Sequence, residues 1–279
     1  MKILVSGGLG NQMFQYALYL TLKLKGERVI LDNSLYDYTK MHNGYELEKC
    51  FGLIKPQVRV TNLGILKIRF LLKYKPKFIV YSDKLHYNKH VFDTKCNYLI
   101  GYWQSEKYFK HIEVKIREAF NFKNIDPINN KIALEMESTN SIALHIRRGD
   151  YINNSNYEGV CTEEYYLKAI NLLNEKIDNN KNTIFYIFSD DKEFANQFEG
   201  KLNINTRIIE HNKDENSYKD MYLMSKCKHN IIANSSFSWW GAWLNNNPNK
   251  IVIAPKRWFG TRIEENYTDI VPESWIKIN

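Results

Sequence analysis

Cysteine is scarce in this sequence of 279 residues, and its four cysteines are spread widely along the chain. They form no Cys-x-x-Cys pair and none of the spacings that are typical of a zinc site. Because scattered thiols are common in reducing compartments, the pattern favours a cytoplasmic protein with free thiols over a disulfide-stabilised domain. The four are Cys50, Cys96, Cys161 and Cys227.

The sequence also lacks a long apolar segment. Residues 1–5 are mostly apolar, but the glycine-rich stretch at 7–12 interrupts the run where the apolar part of a secretory signal would continue. The longest later run, at 13–24, is too short to cross a bilayer and contains Gln15 and Lys23. We therefore predict neither a signal peptide nor a transmembrane helix.

Positive charge is in excess and is concentrated in one segment. The formal net charge is +8, and residues 55–95 contain ten lysines and arginines but two acidic residues, which accounts for the whole excess. Such a patch attracts the phosphates of nucleic acids or of anionic membranes. Within it, residues 63–81 mix five cations with large apolar side chains, which predicts either contact with the inner face of the cytoplasmic membrane or a solvated basic surface.

Aromatic residues are abundant, with 19 Tyr, 14 Phe and 6 Trp. A nucleic-acid-binding sheet would interleave aromatic and basic residues, whereas here the aromatic residues are distributed over the whole chain. We therefore predict no nucleic-acid partner, although a non-catalytic protein that binds sugar or RNA stays an alternative to an enzyme.

Alternating strand and helix patterns predict an α/β protein with two domains. A strand at 3–7, a helix at 11–25 and a strand at 28–31 open a βαβ unit. Beyond a polar stretch at 121–140, strands recur about 20 residues apart with helices between them, which is typical of a parallel, doubly wound sheet. We place a first domain at 1–130, a second at 131–260 and a tail at 261–279.

A glycine-rich loop, GGLGNQ at residues 7–12, joins the first predicted strand to the first helix. The backbone N–H groups of such a loop and the helix dipole can face an anion or a polar ligand. The loop is similar to the dinucleotide-binding pattern G-x-G-x-x-G, and Asp32 lies where a ribose-binding acid is expected, but Met13 replaces the third glycine. An NAD-dependent dehydrogenase and a tight turn without a ligand both remain open.

A second motif, HIRRGDY at residues 145–151, follows a predicted strand of the second domain. Ligands of open parallel sheets bind at the carboxyl ends of the strands. Arg147 and Arg148 could offer a bidentate fork to a diphosphate, with Asp150 holding one guanidinium in place. A surface ion-pair cluster is the alternative.

A third motif, NSSFSWWGAWL at residues 234–244, leads from a strand into a helix. Ser235 and Ser236 are suitable N-cap residues, and their hydroxyls with the N–H groups behind them would form a phosphate site reinforced by the helix dipole. One helix earlier, Asp220 could accept hydrogen bonds from the N1–H and N2–H of guanine. Ordinary capping and a solvated aspartate are the alternatives.

Together these motifs resemble the bacterial α-1,2-fucosyltransferases of glycosyltransferase family 11. The resemblance rests on GGLGNQMFQ at 7–15, HIRRGDY at 145–151, FSDD at 188–191 and NSSFSWWGAWL at 234–244, while residues 35–130 carry no family signature. It implies a GT-B type fold, with two Rossmann-like domains and a cleft between them. The first domain would face an oligosaccharide acceptor, and the second would bind GDP-β-L-fucose. The enzyme would invert the sugar configuration and modify the 2-hydroxyl of a β-galactoside.

The resemblance also implies a role for individual residues. Arg147 would contact the β-phosphate, and Ser236 with Phe237 would bind the phosphates through hydroxyl and N–H groups. Asp220 would read guanine, and Asn11 would lie at the reacting centre. The expected catalytic residues are Asn11, Arg147, Arg148 and Asp150, and the other expected donor-binding residues are Gly10, His145, Asp190, Asn234 and Ser235.

No cofactor and no metal are expected in this chemistry. The sequence has no Asp-x-Asp pair, and Asp190 and Asp191 are adjacent, so that on a strand they would point to opposite faces. Fixed cations and N–H groups would instead stabilise the charge that develops on the departing GDP. The base that takes the proton of the acceptor hydroxyl is unassigned, with Glu158 and Asp150 as candidates.

Overall fold

The computed structural model describes residues 1–37, 42–53, 79–82, 86–92, 96–177, 182–260 and 269–279, and the chain forms two compact units. The first unit consists of Met1–Asn124 with Thr268–Ile270, and the second of Ile125–Tyr267 with Val271–Asn279. The change of unit at residue 125 precedes the boundary predicted at 130, because the helix that begins at Pro127 packs on the second sheet.

The first unit is built on a four-stranded parallel sheet. Its strands are β1 (Lys2–Leu4), β2 (Ile30–Asp32), β3 (Ile79–Ser82) and β4 (Tyr98–Gly101), in the spatial order β2-β1-β4-β3. The α-helices in the described part of this unit are α1 (Leu9–Leu24), α2 (Leu47–Phe51) and α3 (Glu113–Ala119). Because β1 and β4 are parallel neighbours in the centre, the loops that follow them leave the same edge of the sheet.

Helix α1 carries the second half of the glycine-rich motif. Met13, Leu18 and Leu22 are fully buried, and because they lie on different sides of the helix, α1 is packed on more than one side. The helix begins after Gly8 and is followed by Gly26, whose φ of +86° allows the chain to turn away. The helix predicted at 11–25 is therefore present, and its first turn lies at the carboxyl edge of the sheet.

The second unit is built on a six-stranded parallel sheet. Its spatial order is β10-β9-β8-β5-β6-β7, with β5 and β8 as central neighbours. The chain adds strands outward from β5 to β7, then returns to the other side at β8, which is the predicted doubly wound topology. The strands are β5 (Asn140–Ile146), β6 (Thr183–Ser189), β7 (Thr206–Ile209), β8 (His229–Ile231), β9 (Val252–Pro255) and β10 (Ile276–Ile278).

Among the described residues of this unit, five α-helices connect or flank the strands. They are α4 (Pro127–Ser138), α5 (Glu163–Asn174), α6 (Lys192–Glu199), α7 (Tyr218–Lys226) and α8 (Ser236–Leu244). Their amino ends carry suitable capping groups: Asp126, Thr162 and Asp191 each accept a hydrogen bond from a backbone N–H of the helix that follows. Since each of α5 to α8 follows a strand, these four helices begin near the carboxyl edge of the sheet.

The end of the chain belongs to the second sheet. Strand β10 pairs in parallel with β9, with Ile276 opposite Ile253 and Ile278 opposite Pro255. A tail separate from the second domain, as predicted for 261–279, is therefore not formed by residues 271–279. The prediction missed this strand because three residues are too few to show an alternating pattern.

Alternate residues of β5 face two buried layers. Ile142, Leu144 and Ile146 belong to one hydrophobic cluster with residues of α5 and α6. Ala143 belongs to the other, with residues of α4 and α7. Burial on both faces explains why this strand is an almost continuous apolar run. Packing on both faces also holds β5 in place, and the arginine motif follows the carboxyl end of this strand.

The contact between α7 and α8 requires a glycine at position 241. A Cβ atom there would lie 2.8 Å from Cβ and 3.1 Å from Sδ of Met224. We expect Gly241→Ala to lower the free energy of unfolding by about 1–3 kcal/mol, because an added methyl group forces packed atoms apart. Urea unfolding measures this. Gly200→Ala is the matched control, since a Cβ there meets no atom closer than 3.6 Å, and equal urea midpoints for the two variants would contradict the close packing.

The segment predicted to contact a membrane, residues 63–81, lies outside the described residues except for the backbone of Ile79–Ser82, which forms β3. In the described part of the chain, no helix has both the length and the apolar character needed to cross a membrane. The same part contains no group of three or more His, Cys, Asp or Glu side chains that could hold a metal ion.

Candidate functional site

The carboxylate of Asp190 holds the loop that follows β5. Its Oδ1 accepts a hydrogen bond from the backbone N–H of Arg148 (2.9 Å), and its Oδ2 from that of Gly149 (3.1 Å). The same Oδ2 lies 3.0 Å from Nη1 of Arg147. Asp190 follows β6 directly, and β6 pairs in parallel with β5, so the two strand ends bring these groups together. Arg147 is therefore fixed at the carboxyl edge of the sheet by an ion pair.

Arg148 is engaged by α6. Its Nε lies 3.2 Å from Oδ2 of Asp191, and its guanidinium lies 4.0 Å from the ring centroid of Phe194. Asp191 also caps α6 by accepting a hydrogen bond from the N–H of Phe194 (3.0 Å). The two guanidiniums that were expected to act as one fork are thus held by separate carboxylates, Asp190 and Asp191.

The amino end of α8 is the second element at this edge. Ser235 is the N-cap residue, and its Oγ accepts a hydrogen bond from the N–H of Phe237 (3.3 Å). Ser236 is the first helical residue and is half-buried. Neither its N–H nor its hydroxyl has a hydrogen-bond partner among the residues that the structure describes. Such a group at a helix start, together with the helix dipole, favours an anion.

Two contacts join the end of β5 and the loop after it to the loop after β8 and the start of α8. The hydroxyl of Tyr151 donates a hydrogen bond to the backbone carbonyl of Asn234 (3.0 Å), and the ring centroids of His145 and Phe237 are 6.0 Å apart. Strands β5 and β8 are the neighbours at which the strand order reverses. In open α/β sheets, ligands bind in the crevice at such a switch point. The structure therefore assembles the second and third motifs at the switch point of this sheet.

His145 and Asn234 are buried parts of this assembly. Burial lowers the pKa of His145 to about 3, an effect that Asp190 opposes and Arg147 reinforces. The imidazole is therefore neutral near pH 7 and can act as a hydrogen-bonding group, not as a cation. Asn234 donates from Nδ2 to the carbonyl of Trp258 (2.9 Å), which fixes the loop between β8 and α8.

Asp220 lies in the first turn of α7, half-buried. Burial raises its pKa to about 7, although a hydrogen bond from Nδ2 of Asn212 (2.8 Å) opposes the rise. Helix α7 packs against α8 where Met224 meets Gly241, and both helices begin at the carboxyl edge of the same sheet. A carboxyl group that titrates near neutrality couples proton uptake to the binding of any ligand that it contacts.

In the first unit, two glutamine side chains of α1 brace the glycine-rich loop. Nε2 of Gln12 donates to the carbonyls of Gly7 (3.1 Å) and Gly44 (2.8 Å). Nε2 of Gln15 donates to the carbonyl of Gly101 (2.9 Å), at the end of β4. Because these amides are buried and paired, they hold the loops at the carboxyl edge of the first sheet in one arrangement.

Asn11 lies at this edge, in the first turn of α1. Its Oδ1 accepts a hydrogen bond from Nε2 of Gln104 (2.7 Å). A Cβ on Gly7, whose φ is +80°, would lie 2.6 Å from Nδ2 of Asn11, so glycine is required for the carboxamide to pack on the backbone. Gly10 is buried in the same helical turn.

Asp32 is engaged inside the first unit. Its side chain is buried, its Oδ1 accepts a hydrogen bond from the N–H of Ser34 (3.2 Å), and its Oδ2 lies 4.0 Å from Nζ of Lys2. A carboxylate in this position is not presented to a ribose. The dehydrogenase interpretation therefore loses the acidic residue on which it depended.

The whole chain, residues 1–279, matches the family described as Glycosyl transferase family 11. The protein belongs to glycosyltransferase family 11. It is a glycosyltransferase related to fucosyltransferases, and the resemblance inferred from the sequence motifs is confirmed.

Two relatives from Escherichia coli match this family 11 glycosyltransferase over almost its full length. A protein named alpha-1,2-colitosyltransferase is 37% identical, with 98% of this chain and 97% of the relative covered. The O-antigen biosynthesis glycosyltransferase WbnK is 34% identical, with 98% of this chain and 99% of the relative covered.

Among solved structures, the fucosyltransferase NodZ from Bradyrhizobium superposes with a TM-score of 0.52 over 86% of this chain and 91% of that chain, at 13% identity. The likeness is one of fold, and the expected GT-B type is confirmed.

The described residues do not show which of the two candidates, Asp150 or Glu158, is the general base of this glycosyltransferase. Asp150 lies in the short helical turn Gly149–Tyr151, but its side chain is outside the described part. The guanidiniums of Arg147 and Arg148 contact Asp190 and Asp191, and the predicted contact with Asp150 falls outside the described side chains. Glu158 is exposed in the loop that precedes α5, and its backbone N–H is bonded to the carbonyl of Asn154 (3.0 Å).

Two residues that contact the predicted site of the glycosyltransferase were missed by motif reasoning. Gln104 bonds to Asn11, and Asn212 bonds to Asp220. Neither belongs to a recognisable motif. Their position in the sequence could have indicated a role. Gln104 follows closely on β4 and Asn212 on β7, and ligands of parallel sheets bind at the edge where these strands end.

Proposed function

We propose that this protein is an inverting transferase that moves L-fucose from GDP-β-L-fucose to the 2-hydroxyl of a β-galactoside, without a metal ion or a cofactor. The observation that carries the proposal is that Arg147 and the amino end of α8 follow the neighbouring strands β5 and β8, whose following loops are joined by the hydrogen bond from Tyr151 to Asn234. A guanidinium and helix N–H groups at one edge suit a pyrophosphate. NodZ, an α-1,6-fucosyltransferase of the same fold, was co-crystallised with GDP, which supports a GDP-linked donor.

The pyrophosphate would lie between Arg147 and Ser236. Arg147 would share its guanidinium between Asp190 and the β-phosphate, since Asp190 contacts it through Nη1. Ser236 would contribute its N–H and hydroxyl, which have no other partner among the described residues. The N–H of Phe237 is occupied by the Oγ of Ser235 at 3.3 Å, a long bond that a phosphate oxygen could replace.

The transfer breaks the bond between C1 of fucose and the β-phosphate oxygen. The bonding electrons stay with GDP, whose phosphate gains negative charge as the acceptor oxygen attacks C1 from the opposite face. Groups that are already oriented towards that charge stabilise the transition state more than the ground state. The acceptor hydroxyl gives up its proton to a base that the described residues do not identify.

Asp220 would read the guanine base. An ionised carboxylate can accept hydrogen bonds from both N1–H and N2–H of guanine, whereas adenine has no matching pair of donors. One carboxylate oxygen, Oδ1, is already bonded to Asn212. The half-buried position of Asp220 lowers competition from water and so favours discrimination between bases.

The identity of the sugar is the point on which the names of relatives differ. The Escherichia coli relative at 37% identity is named a colitosyltransferase, and a Caenorhabditis elegans relative at 23% identity, covering 99% of this chain and 78% of its own, is named galactoside 2-alpha-L-fucosyltransferase. L-Colitose is L-fucose without its 3-hydroxyl, so the two donors share all other contacts. We rank fucose as the first candidate sugar because both this nematode relative and NodZ are named fucosyltransferases. Colitose is the second candidate because of the higher identity of its relative.

Parallel reactions with GDP-fucose and GDP-colitose test the proposal. Each donor is incubated with a terminal β-galactoside in EDTA, and the product is identified by mass spectrometry and its linkage by NMR. We expect an α-1,2-linked product in EDTA, with a higher kcat/KM for GDP-fucose. A higher kcat/KM for GDP-colitose would assign the second candidate. Absence of transfer from both donors, or activity that EDTA abolishes and manganese restores, would contradict the proposal.

A further inference from the structure

Two buried asparagines, Asn129 and Asn212, form a reciprocal amide pair beside Asp220. Nδ2 of Asn129 donates to Oδ1 of Asn212, and Nδ2 of Asn212 donates to Oδ1 of Asn129, both at 2.9 Å. The two residues are 1% and 9% exposed. Asn129 belongs to α4 and Asn212 to the loop after β7, so the pair joins two elements at the carboxyl edge of the second sheet.

Every amide hydrogen of the pair has an acceptor. The second hydrogen on Nδ2 of Asn212 is directed to Oδ1 of Asp220 (2.8 Å), and the second on Nδ2 of Asn129 to Oδ2 of Asp126 (2.8 Å). Oδ1 of Asn129 also lies 3.1 Å from Nε2 of His211. An amide has two donor hydrogens and one acceptor oxygen. Rotating either amide by half a turn would place its oxygen against a carboxylate, so the orientation shown is the one that the neighbours permit.

The far end of this chain of hydrogen bonds is an ionised carboxylate. Asp126 caps α4 by accepting from the N–H of Asn129 (3.0 Å), and its Oδ2 lies 3.0 Å from Nζ of Lys219. Desolvation raises its pKa, but the hydrogen bonds from Asn129 and the contact with Lys219 outweigh this and hold the pKa well below its usual range. Asp126 therefore accepts from Asn129 at any pH near neutrality, which fixes Asn129 and, through it, Asn212.

We propose that Asn212 is a positioning residue for recognition of the nucleotide base: locked by Asn129, it holds the Asp220 carboxylate ionised and correctly oriented to accept hydrogen bonds from guanine. The inference rests on the proposed function, in which Asp220 reads guanine. Asn212 acts through Oδ1 of Asp220. Oδ2 of Asp220 has no hydrogen-bond partner among the residues described, so the carboxylate keeps an oxygen for the base.

The physical reason lies in the charge on Asp220. Burial favours its protonated form, and the hydrogen bond from Asn212 favours its ionised form. A protonated carboxyl group carries a hydrogen of its own and cannot accept from both N1–H and N2–H of guanine. Without Asn212, Asp220 keeps its proton to a higher pH, and GDP must then displace that proton to bind. The other charged or titratable groups around the pair are His211, Asp126 and Lys219.

Isothermal titration of GDP between pH 6 and pH 9 tests the proposal. For the wild-type protein we expect affinity to fall by up to tenfold per pH unit below about pH 7. In Asn212→Ala the pH at which this fall begins should move upward by about one unit, with wild-type affinity regained at pH 9. Asn203→Ala, which changes an exposed asparagine in the loop before β7, is the matched control and should follow the wild-type curve. Asp220→Asn should lose the pH dependence. If the pH dependence persisted in Asp220→Asn, the titration would belong to another group, and the proposal would be overturned.

A loss of GDP affinity in Asn212→Ala that is equal at every pH would overturn the proposal, because it would mark a merely structural residue. So would an unchanged curve. Asn212→Ser, which keeps a shorter donor, provides a second variant if the alanine variant does not fold. The ionisation of Asp220 is also measured without nucleotide, by NMR of its side-chain carboxyl carbon. Failure of the wild-type protein to bind GDP would reject the proposed function, while this titration would still show whether Asn212 controls the Asp220 carboxylate.

Discussion

Replacing Arg147 with alanine should lower the rate of sugar transfer about 10²- to 10³-fold, which is the cost of removing one oriented donor from a developing anion. The guanidinium is held at the carboxyl end of β5 by Asp190 and by stacking 5.5 Å from the ring centroid of Tyr151. It therefore does not reorganise when charge builds on the β-phosphate. Initial rates at saturating donor measure the effect, and circular dichroism checks that the variant is folded.

Two further variants make the result for Arg147 specific. Arg147→Lys keeps the positive charge but lacks the planar fork, so we expect a rate between those of the wild type and the alanine variant. Arg207→Ala is the matched control. Arg207 lies on the edge strand β7 and forms an ion pair with Glu135 of α4, so its replacement should leave the rate unchanged. Near-normal turnover in Arg147→Ala would show that this arginine has a structural role alone.

Replacing Asp220 with alanine should weaken GDP binding about 10- to 100-fold and reduce the preference for GDP over ADP and UDP. Hydrogen bonds to an ionised group contribute about 1.5–3 kcal/mol, which sets this range. Binding to Arg147 and Ser236 would remain, so the variant should still bind all three nucleotides weakly. Titration calorimetry with the three nucleotides measures the loss, and an unchanged GDP affinity would place guanine elsewhere.

Ionisation of Asp220 should favour GDP binding but should lower the free energy of unfolding of the protein without GDP. Because burial raises its pKa to about 7, the folded protein holds a proton between about pH 4 and pH 7 that the unfolded chain has released. The contribution of Asp220 to stability is therefore present below this window and is lost as the pH rises through it. Asp220→Asn should not show this loss. A carboxylate that costs stability when no ligand is present is expected of a binding residue.

The second sheet could be predicted from sequence because its central strands are long and buried on both faces. The apolar pattern of residues 183–189 predicts a strand that coincides with β6, and that of residues 141–145 predicts a strand that lies within β5. The third motif predicts a helix at 237–245, one residue later than α8, and its capping residue Ser235 lies where the sequence suggests. Apolar runs of this length bounded by turn residues leave few other interpretations.

The side-chain pairings that build the site could not be predicted in the same way. Asn129 and Asn212 are 83 residues apart, and Arg148 and Asp190 are 42 apart, so no local pattern links them. Asp150 was the predicted partner of an arginine because it is close in sequence. No local pattern predicts that the parallel pairing of β5 with β6 brings Asp190 to Arg147 and Asp191 to Arg148. In the first unit, strands of three or four residues carry too little periodicity to define their ends.

A crystal structure of the protein with GDP would show whether the donor nucleotide binds at the switch point of the second sheet. We predict electron density for the pyrophosphate between the guanidinium of Arg147 and the N–H and hydroxyl of Ser236, with guanine bonded to the carboxylate of Asp220. This result would place the donor at the switch point between β5 and β8. Density for the nucleotide on the glycine-rich loop after β1 instead, or no bound GDP at millimolar concentration, would rule out a donor site at this switch point.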